Sequence, residues 1–234
     1  MSASLSPAKR DELVKTVLLG FPGSGEAYTL DGLKMALGTY ASIGEDELRH
    51  NLIQFLKEVV PVAEESGVRL AIHPDDPPRP LLGLPRVVSN RKDVEHILSA
   101  HPSPSNGITL CTGSFGAGKQ NDLLEIAQLF ASRINFVHLR NVTKSDESDF
   151  VEDNHLEGDV DMYGVIRTLL LEQKRRAEEG REDIRIPMRP DHGHLMKADQ
   201  ERAKVYPGYS LFGRMRGLAE LRGVELGIRR SLGL

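Results

Sequence analysis

The sequence predicts an α/β fold built on parallel β-strands. Four apolar runs have the length of short buried strands, and they lie at about 68–73, 107–111, 134–139 and 184–189. Helical segments separate these runs, and strands that are joined through helices are normally parallel neighbours. Each run also ends at or near a residue with a metal-binding side chain. Because the carboxyl ends of parallel strands face one crevice, we expect these side chains to meet there.

Length, composition and charge narrow the range of partners. The chain has 234 residues, of which 39% are hydrophobic, and this is enough for one sizeable core. A net charge of -4 provides no basic surface for a phosphate backbone, so we expect no nucleic-acid partner. The one cysteine cannot form an internal disulfide, which fits a reducing compartment. With no signal peptide and no run of ~18 apolar residues, we predict a cytoplasmic protein without a membrane partner.

The N-terminal part of the chain has the signals of three helices. The first begins at the Ser6-Pro7 pair, whose residue types favour a cap followed by the first helical position. Thr29 can cap the second helix. The third helix, at 45–65, has apolar residues at helical spacing, and we expect Pro61 to interrupt it.

The rest of the chain alternates between strands and helices. We predict a single domain, 1–234, in which a helical lead-in, 1–66, precedes the βα units of 67–234. The charged segment KSDESDFVED is expected to be a solvated surface loop. The helices that follow or separate the strands are expected near 91–100, 120–132, 160–178 and 211–231.

The residues at the four strand ends indicate a transition-metal site. His73, Cys111 and His138 close the first three runs, and Asp191 follows the fourth. Nitrogen, sulfur and carboxylate donors together suit Mn²⁺, Fe²⁺, Co²⁺ or Zn²⁺, whereas Ca²⁺ and Mg²⁺ prefer oxygen ligands. Taken singly, each histidine could be a hydrogen-bonded structural residue, and Cys111 could be a small buried hydrophobe. Their shared position at the ends of strands favours one site.

A glycine-rich segment offers a different interpretation. Gly113–Gln120 follows a predicted strand and matches the phosphate-binding loop pattern GxxxxGK[ST] except at its last position. Gln120 lacks the hydroxyl that holds Mg²⁺ in such loops. A nucleotide-binding protein is therefore the weaker hypothesis. The segment can instead be a flexible glycine loop that leads to a helix cap at Asn121 or Asp122.

Two arginines are placed to hold an anionic small molecule. Arg189 precedes Asp191 by two positions, so both side chains lie on one face of a regular strand. Arg140 follows His138 in a similar way. A guanidinium group can bind a carboxylate through two parallel hydrogen bonds. Either arginine could equally form an internal ion pair.

Six segments of the chain carry long and specific motifs. They are IHPDDPPRPLLGLPRVVS, LCTGSFGAGKQNDL, FVHLRN, HLEGDVDMYGVI, IPMRPDHGH and YPGYSLFGRMRGLAELRGVE. Through these motifs the chain resembles the mannonate dehydratase family. The resemblance runs from about Leu13 to the C-terminus. The resemblance implies a TIM barrel of the xylose-isomerase-like type and a hydro-lyase of hexuronate catabolism that depends on Mn²⁺ or Fe²⁺. It further implies conversion of D-mannonate to 2-dehydro-3-deoxy-D-gluconate and water.

The resemblance also assigns residues. Carried over by motif, the metal ligands fall on the same four residues that the strand ends indicate. His192 and Tyr209 match the acid–base residues of the family, and the sequence leaves open which of them is the base. His155, in HLEGDVD, matches the family without a defined role. With Arg140 and Arg189 it completes the candidate substrate-binding residues.

The chain departs from the family at its N-terminus, where family members are considerably longer. The sequence predicts only four strands, whereas a closed barrel of this type has about eight. We therefore expect a partial TIM barrel, its C-terminal half, which could form a homo-oligomer through its open edges. The alternative function is a non-catalytic or impaired truncated remnant that still binds metal. An isomerase that acts on a related sugar is a neighbouring hypothesis.

Overall fold

The contacts divide the chain into two compact units. The computed structural model describes residues 5–18, 29–145, 149–201, 205–206 and 208–234. One unit consists of Met1–Gly44 and Leu82–Leu84, and the other of Glu45–Leu81 and Pro85–Leu234. The third helix thus belongs with the sheet, although the lead-in was predicted to extend through residue 66. The single-domain organisation stays a prediction.

The described residues of the first unit form two helices, α1 at Pro7–Leu18 and α2 at Leu30–Gly38. The predicted cap of α2 is confirmed, because Gly32 N donates to Thr29 Oγ1 at 3.0 Å. No residue of α2 is buried. The hydrophobic clusters of the described residues therefore lie in the second unit.

The second unit is a parallel sheet covered by helices. The α-helices among its described residues are α3 (Glu45–Glu65), α4 (Arg91–Ala100), α5 (Thr112–Gly116), α6 (Leu123–Phe130), α7 (Met162–Glu178) and α8 (Leu211–Leu232). Its strands are β1 (Leu70–Ile72), β2 (Asn106–Cys111), β3 (Ile134–His138), β4 (Val142–Lys144), β5 (Phe150–Glu152) and β6 (Met188–Arg189). The parallel sheet has the order β1-β2-β3-β6. The predicted four-stranded parallel α/β fold is confirmed.

The register of the sheet aligns the strand ends. Cys111 pairs with His138, and His138 pairs with Arg189. β6 keeps only two residues of the run predicted at 184–189. Prolines at 187 and 190 flank it, and a proline has no N–H to donate to the ladder. Val137 N still donates to the carbonyl oxygen of Pro187, and Leu139 N to that of Arg189, so the end of this run is fixed beside His138.

The main core is formed by side chains of the sheet and of helices α4, α5, α6, α7 and α8. Burial of each large apolar side chain contributes about 1.5–3 kcal/mol, so this layer fixes the positions of the strand ends. No helix in the described ranges combines the length and apolar character that crossing a membrane requires. The fully buried apolar residues of this core include Ile108, Leu110, Phe115, Ile134, Val137, Val165 and Leu169.

Three predicted local features are wrong. Pro61 does not interrupt α3, because a proline removes one helical hydrogen bond while packed neighbours such as Leu56 and Val60 hold the helix on the fold. In the segment KSDESDFVED, residues 146–148 lie outside the described residues, and the described part is not a plain surface loop, since β4 and β5 pair in an antiparallel hairpin. The first part of the predicted glycine loop Gly113–Gln120 lies in a short buried helix, Thr112–Gly116, rather than in a flexible loop. It precedes α6, whose predicted cap Asp122 accepts from Glu125 N at 2.9 Å.

Candidate metal and acid-base site

The four predicted metal ligands lie at the carboxyl ends of the parallel strands. His73 follows β1, Cys111 ends β2, His138 ends β3, and Asp191 lies two residues beyond β6. Ligand atoms of His73, Cys111 and His138 all lie within 4.8 Å of one another. Asp191 Oδ2 is 3.5 Å from His138 Nδ1. We call these four side chains the ligand cluster.

A hydrogen bond to the backbone orients His73 of the ligand cluster. His73 Nδ1 lies 2.7 Å from the carbonyl oxygen of Pro74. A carbonyl can only accept, so Nδ1 carries the hydrogen and Nε2 keeps its lone pair. That Nε2 is 3.1 Å from His138 Nδ1. A backbone carbonyl on the far nitrogen is the usual way in which a metal-binding histidine is held.

The thiol of Cys111 is buried and accepts a hydrogen bond. Cys111 and Ser114 are both 0% exposed, and Ser114 Oγ lies 3.0 Å from Cys111 Sγ. The thiolate is the form of cysteine that binds metals, and the Ser114 hydroxyl is placed to donate to it. Two imidazoles, one thiolate and one carboxylate are the donors that a borderline divalent ion prefers. The residues therefore fit a transition-metal ion.

His192 and Tyr209 lie beside the ligand cluster and contact each other. His192 Nε2 is 3.2 Å from Tyr209 Oη and 3.6 Å from Asp191 Oδ2. A backbone hydrogen bond of 2.8 Å from Gly193 N to Gly208 O holds the loop of Tyr209 against the strand end. Gly208 has a φ of 80°, a conformation that favours glycine.

Tyr209 keeps its proton at neutral pH. Burial raises the pKa of the Tyr209 hydroxyl, and the negative charge of Asp191 raises it further. The hydroxyl can therefore donate to His192 Nε2 in the resting protein.

Glu152, the last residue of β5, completes the arrangement. Its Oε1 lies 2.8 Å from His192 Nδ1, and Arg140 Nε donates to Oε1 and Oε2 at 2.8 and 3.0 Å. Burial opposes ionisation of Glu152, but the hydrogen bonds from His192 and Arg140 outweigh it and lower its pKa to about 2. We call Glu152, His192 and Tyr209 the proton chain. Glu152 was not predicted from the sequence, because Phe150-Val151-Glu152 is short and does not show the apolar-polar alternation of a strand.

Arg140 is buried beneath the proton chain and lies between two carboxylates. Its side chain is 4% exposed and forms ion pairs with Asp76 and Glu152. Burial lowers the pKa of Arg140, but its hydrogen bonds to Glu152 and the charge of Asp76 outweigh burial and raise it. A Cβ on Gly113 would lie 2.4 Å from Arg140 Cδ, so only a glycine at this position leaves room for the Arg140 side chain. The first glycine of the phosphate-loop-like motif therefore has a packing role.

The remaining predicted residues lie nearby in different environments. Arg189 has a side chain that is 54% exposed and donates to Asp191 Oδ1 at 2.8 Å. His155 is 6% exposed, and burial lowers its pKa. Its ring packs against α8 where a Cβ on Gly217 would come within 2.2 Å of it. Substrate binding by Arg140, Arg189 and His155 stays a prediction.

The chain is similar to known proteins over nearly its whole length. The family model described as D-mannonate dehydratase (UxuA) matches residues 2–232. A mannonate dehydratase of Marinomonas sp. (strain MWYL1) is 53% identical over 231 residues, which cover 98% of this chain and 58% of that protein. One of Chromohalobacter salexigens is 52% identical over 227 residues, which cover 97% of this chain and 57% of that protein. The chain thus spans a little over half the length of these curated relatives.

Solved structures show the same relationship. The crystal structure of mannonate dehydratase from Streptococcus suis serotype2 matches with a TM-score of 0.75 and 35% identity, over 94% of this chain and 59% of that chain. A xylose isomerase domain protein from Planctomyces limnophilus matches with a TM-score of 0.50 and 15% identity, over 82% and 57% of the respective chains, which is a likeness of fold alone. The predicted partial TIM barrel of the xylose-isomerase-like type is confirmed. The chain belongs to the D-mannonate dehydratase family.

Proposed function

We propose that this chain supplies the catalytic site of a metal-dependent hydro-lyase. Its reaction would convert D-mannonate to 2-dehydro-3-deoxy-D-gluconate and water in hexuronate catabolism. The observation that carries the proposal is the contact between the ligand cluster and the proton chain, since Asp191 Oδ2 lies within 3.6 Å of both His138 and His192. Family membership supports the choice of substrate.

The metal we propose is Mn²⁺ or Fe²⁺, held by His73, Cys111, His138 and Asp191. When bound, such an ion acts as a Lewis acid that stabilises the charge developing on a substrate carboxylate and its neighbouring hydroxyl oxygen. Cys111 has to remain a thiol or thiolate to serve as a ligand, which fits the cytoplasmic location that we propose.

Loss of water from a 2,3-dihydroxy acid requires two proton transfers. One group removes the proton from the carbon next to the carboxylate, and another protonates the departing hydroxide. His192 can accept a proton at Nε2, because the carboxylate of Glu152 on Nδ1 stabilises the resulting cation. Tyr209 retains its proton and can donate it. We therefore assign His192 as the base and Tyr209 as the acid.

Arg189 is the arginine best placed to bind the substrate carboxylate. Its guanidinium is largely exposed and is held by one ion pair with Asp191. Coordination of an ion by Asp191 would compete with that ion pair and turn the guanidinium toward another anion. Arg140 is already bound by Asp76 and Glu152, and His155 is buried, so we propose that these two support neighbouring groups.

A turnover assay with D-mannonate tests this function. The purified chain is incubated with Mn²⁺ or Fe²⁺ and D-mannonate, and formation of the 2-keto acid is followed, with D-gluconate as a control substrate. Metal-dependent product from D-mannonate supports the proposal. Stoichiometric metal binding without turnover in the folded protein would reject catalysis by this chain and leave the alternative of a metal-binding remnant. ATP binding would instead support the nucleotide hypothesis.

A further inference from the structure

We infer that Glu152 is a positioning residue that fixes the orientation and the tautomer of the His192 ring. The inference rests on the proposed function, because it takes His192 as the proton acceptor. It assigns a role to the β4–β5 hairpin, which none of the strand-end motifs includes. Glu152 itself would not contact the substrate.

The geometry at His192 allows only one productive tautomer. Glu152 Oε1 lies 2.8 Å from His192 Nδ1, and an ionised carboxylate can only accept a hydrogen bond. Nδ1 therefore carries the hydrogen, and Nε2 presents its lone pair to Tyr209 Oη at 3.2 Å. In the opposite tautomer Nε2 would carry a hydrogen and could not accept a proton. A carboxylate that holds a histidine base in this way is familiar from hydrolytic triads.

The surroundings of Glu152 leave its carboxylate little freedom to turn away. Arg140 contacts both of its oxygens, and the guanidinium of Arg140 is itself anchored by Asp76. The backbone of Glu152 is paired with Val142 in the hairpin. Main chain and side chain are thus both fixed, which a residue on an unpaired loop would not achieve. If Glu152 served only to neutralise Arg140, neither tautomer of the His192 ring would be preferred.

A spectroscopic measurement separates these two roles. The tautomer of His192 is read from the ¹⁵N shifts of ring-labelled protein, and His192→Asn identifies its signals among the eight histidines. We expect the Nδ1–H tautomer in the unmodified chain. Arg140 and His192 both donate to Glu152. In Glu152→Gln the amide has to turn an N–H toward one of them, so the preference of His192 for the Nδ1–H tautomer should weaken. Glu157→Gln, an exposed glutamate bound to Asn154, is the matched control and should change nothing.

Kinetics supply the second readout. Glu152→Gln should lower kcat on D-mannonate about 100-fold and leave KM within about twofold, because the change affects a proton carrier and no substrate contact. Glu152→Asp keeps the charge and should recover part of kcat. An Nε2–H tautomer in the unmodified chain would overturn the inference even if the variants failed to fold. The inference would also be overturned if Glu152→Gln had the same His192 tautomer and the same kcat as the unmodified chain. Absence of turnover in the unmodified chain would count against the proposed function, while the tautomer would still decide the role of Glu152.

Discussion

The ligand cluster and the proton chain lie side by side, but different parts of the fold support them. Three of the four ligands sit on or next to strands of one parallel sheet, whose register places Cys111 opposite His138. The proton chain combines a hairpin residue, Glu152, with two residues from the segment after β6. Apolar packing fixes the first region, whereas polar contacts such as those of Arg140 fix the second. Metal binding should therefore survive changes that abolish proton transfer.

The largest expected effect comes from removing a member of the proton chain. His192→Asn and Tyr209→Phe should each lower kcat on D-mannonate by about 10²–10⁴-fold, because each removes a proton carrier. Metal content should stay at the level of the unmodified chain. Metal content, measured by mass spectrometry, tests the ligand cluster, and turnover of the same samples tests the proton chain. Loss of the metal together with activity would show that the two regions are not separable.

The converse change affects the ligand cluster. Cys111→Ser replaces a thiolate with a neutral hydroxyl, and we expect metal affinity to fall about 100-fold or more while the fold is retained. Titration with Mn²⁺ after removal of bound metal measures the affinity, and circular dichroism measures the fold. Equal metal affinity in the two proteins would remove Cys111 from the site.

A smaller effect is expected from the hydrogen bond to the sulfur. Ser114→Ala removes the donor to Cys111, and we expect metal affinity to fall about 10-fold, at the lower end for partners of metal ligands. Ser99→Ala is the control, because Ser99 donates only to the backbone of an exposed helical turn. Should both variants bind metal equally, the hydroxyl of Ser114 would have only a packing role.

The smallest effect concerns stability against acid. The pKa of Glu152 is lowered from 4.5 to about 2 in the folded chain, so ionised Glu152 stabilises the fold above about pH 4.5. This contribution, at most about 3 kcal/mol, is lost as the pH falls toward 2. The difference in free energy of unfolding between the unmodified chain and Glu152→Gln should shrink over that interval. Urea titrations at several pH values measure it, and a constant difference would contradict the ion pairs assigned to Glu152.

The same contrast explains what the sequence alone could predict. The ends of the strands can be predicted because apolar runs mark the strands and parallel pairing brings their carboxyl ends together. His73, Cys111 and His138 could therefore be predicted as neighbours from the sequence. Glu152 lies in a charged segment whose strand character depends on pairing with Val142–Lys144. Such pairing is a tertiary effect, and a short charged strand carries too weak a pattern to reveal it.

Arg140 shows a second limit of prediction from sequence. Its position after His138 indicated a role near the site, but its partners Asp76 and Glu152 lie 64 and 12 residues away. Sequence spacing defines which residues share a strand face and says little about which loops fold over them. Gly113 likewise has its role only because Arg140 crosses the helix beside it.

The measurement that tests the central account most directly is the location of a bound ion relative to the proton chain. Crystals grown with Mn²⁺ and D-mannonate would be examined by anomalous scattering at the manganese edge. We predict one strong peak among His73, Cys111, His138 and Asp191, with the substrate lying between this ion and the His192–Tyr209 pair. A peak elsewhere, or a substrate out of reach of His192 and Tyr209, would contradict the account.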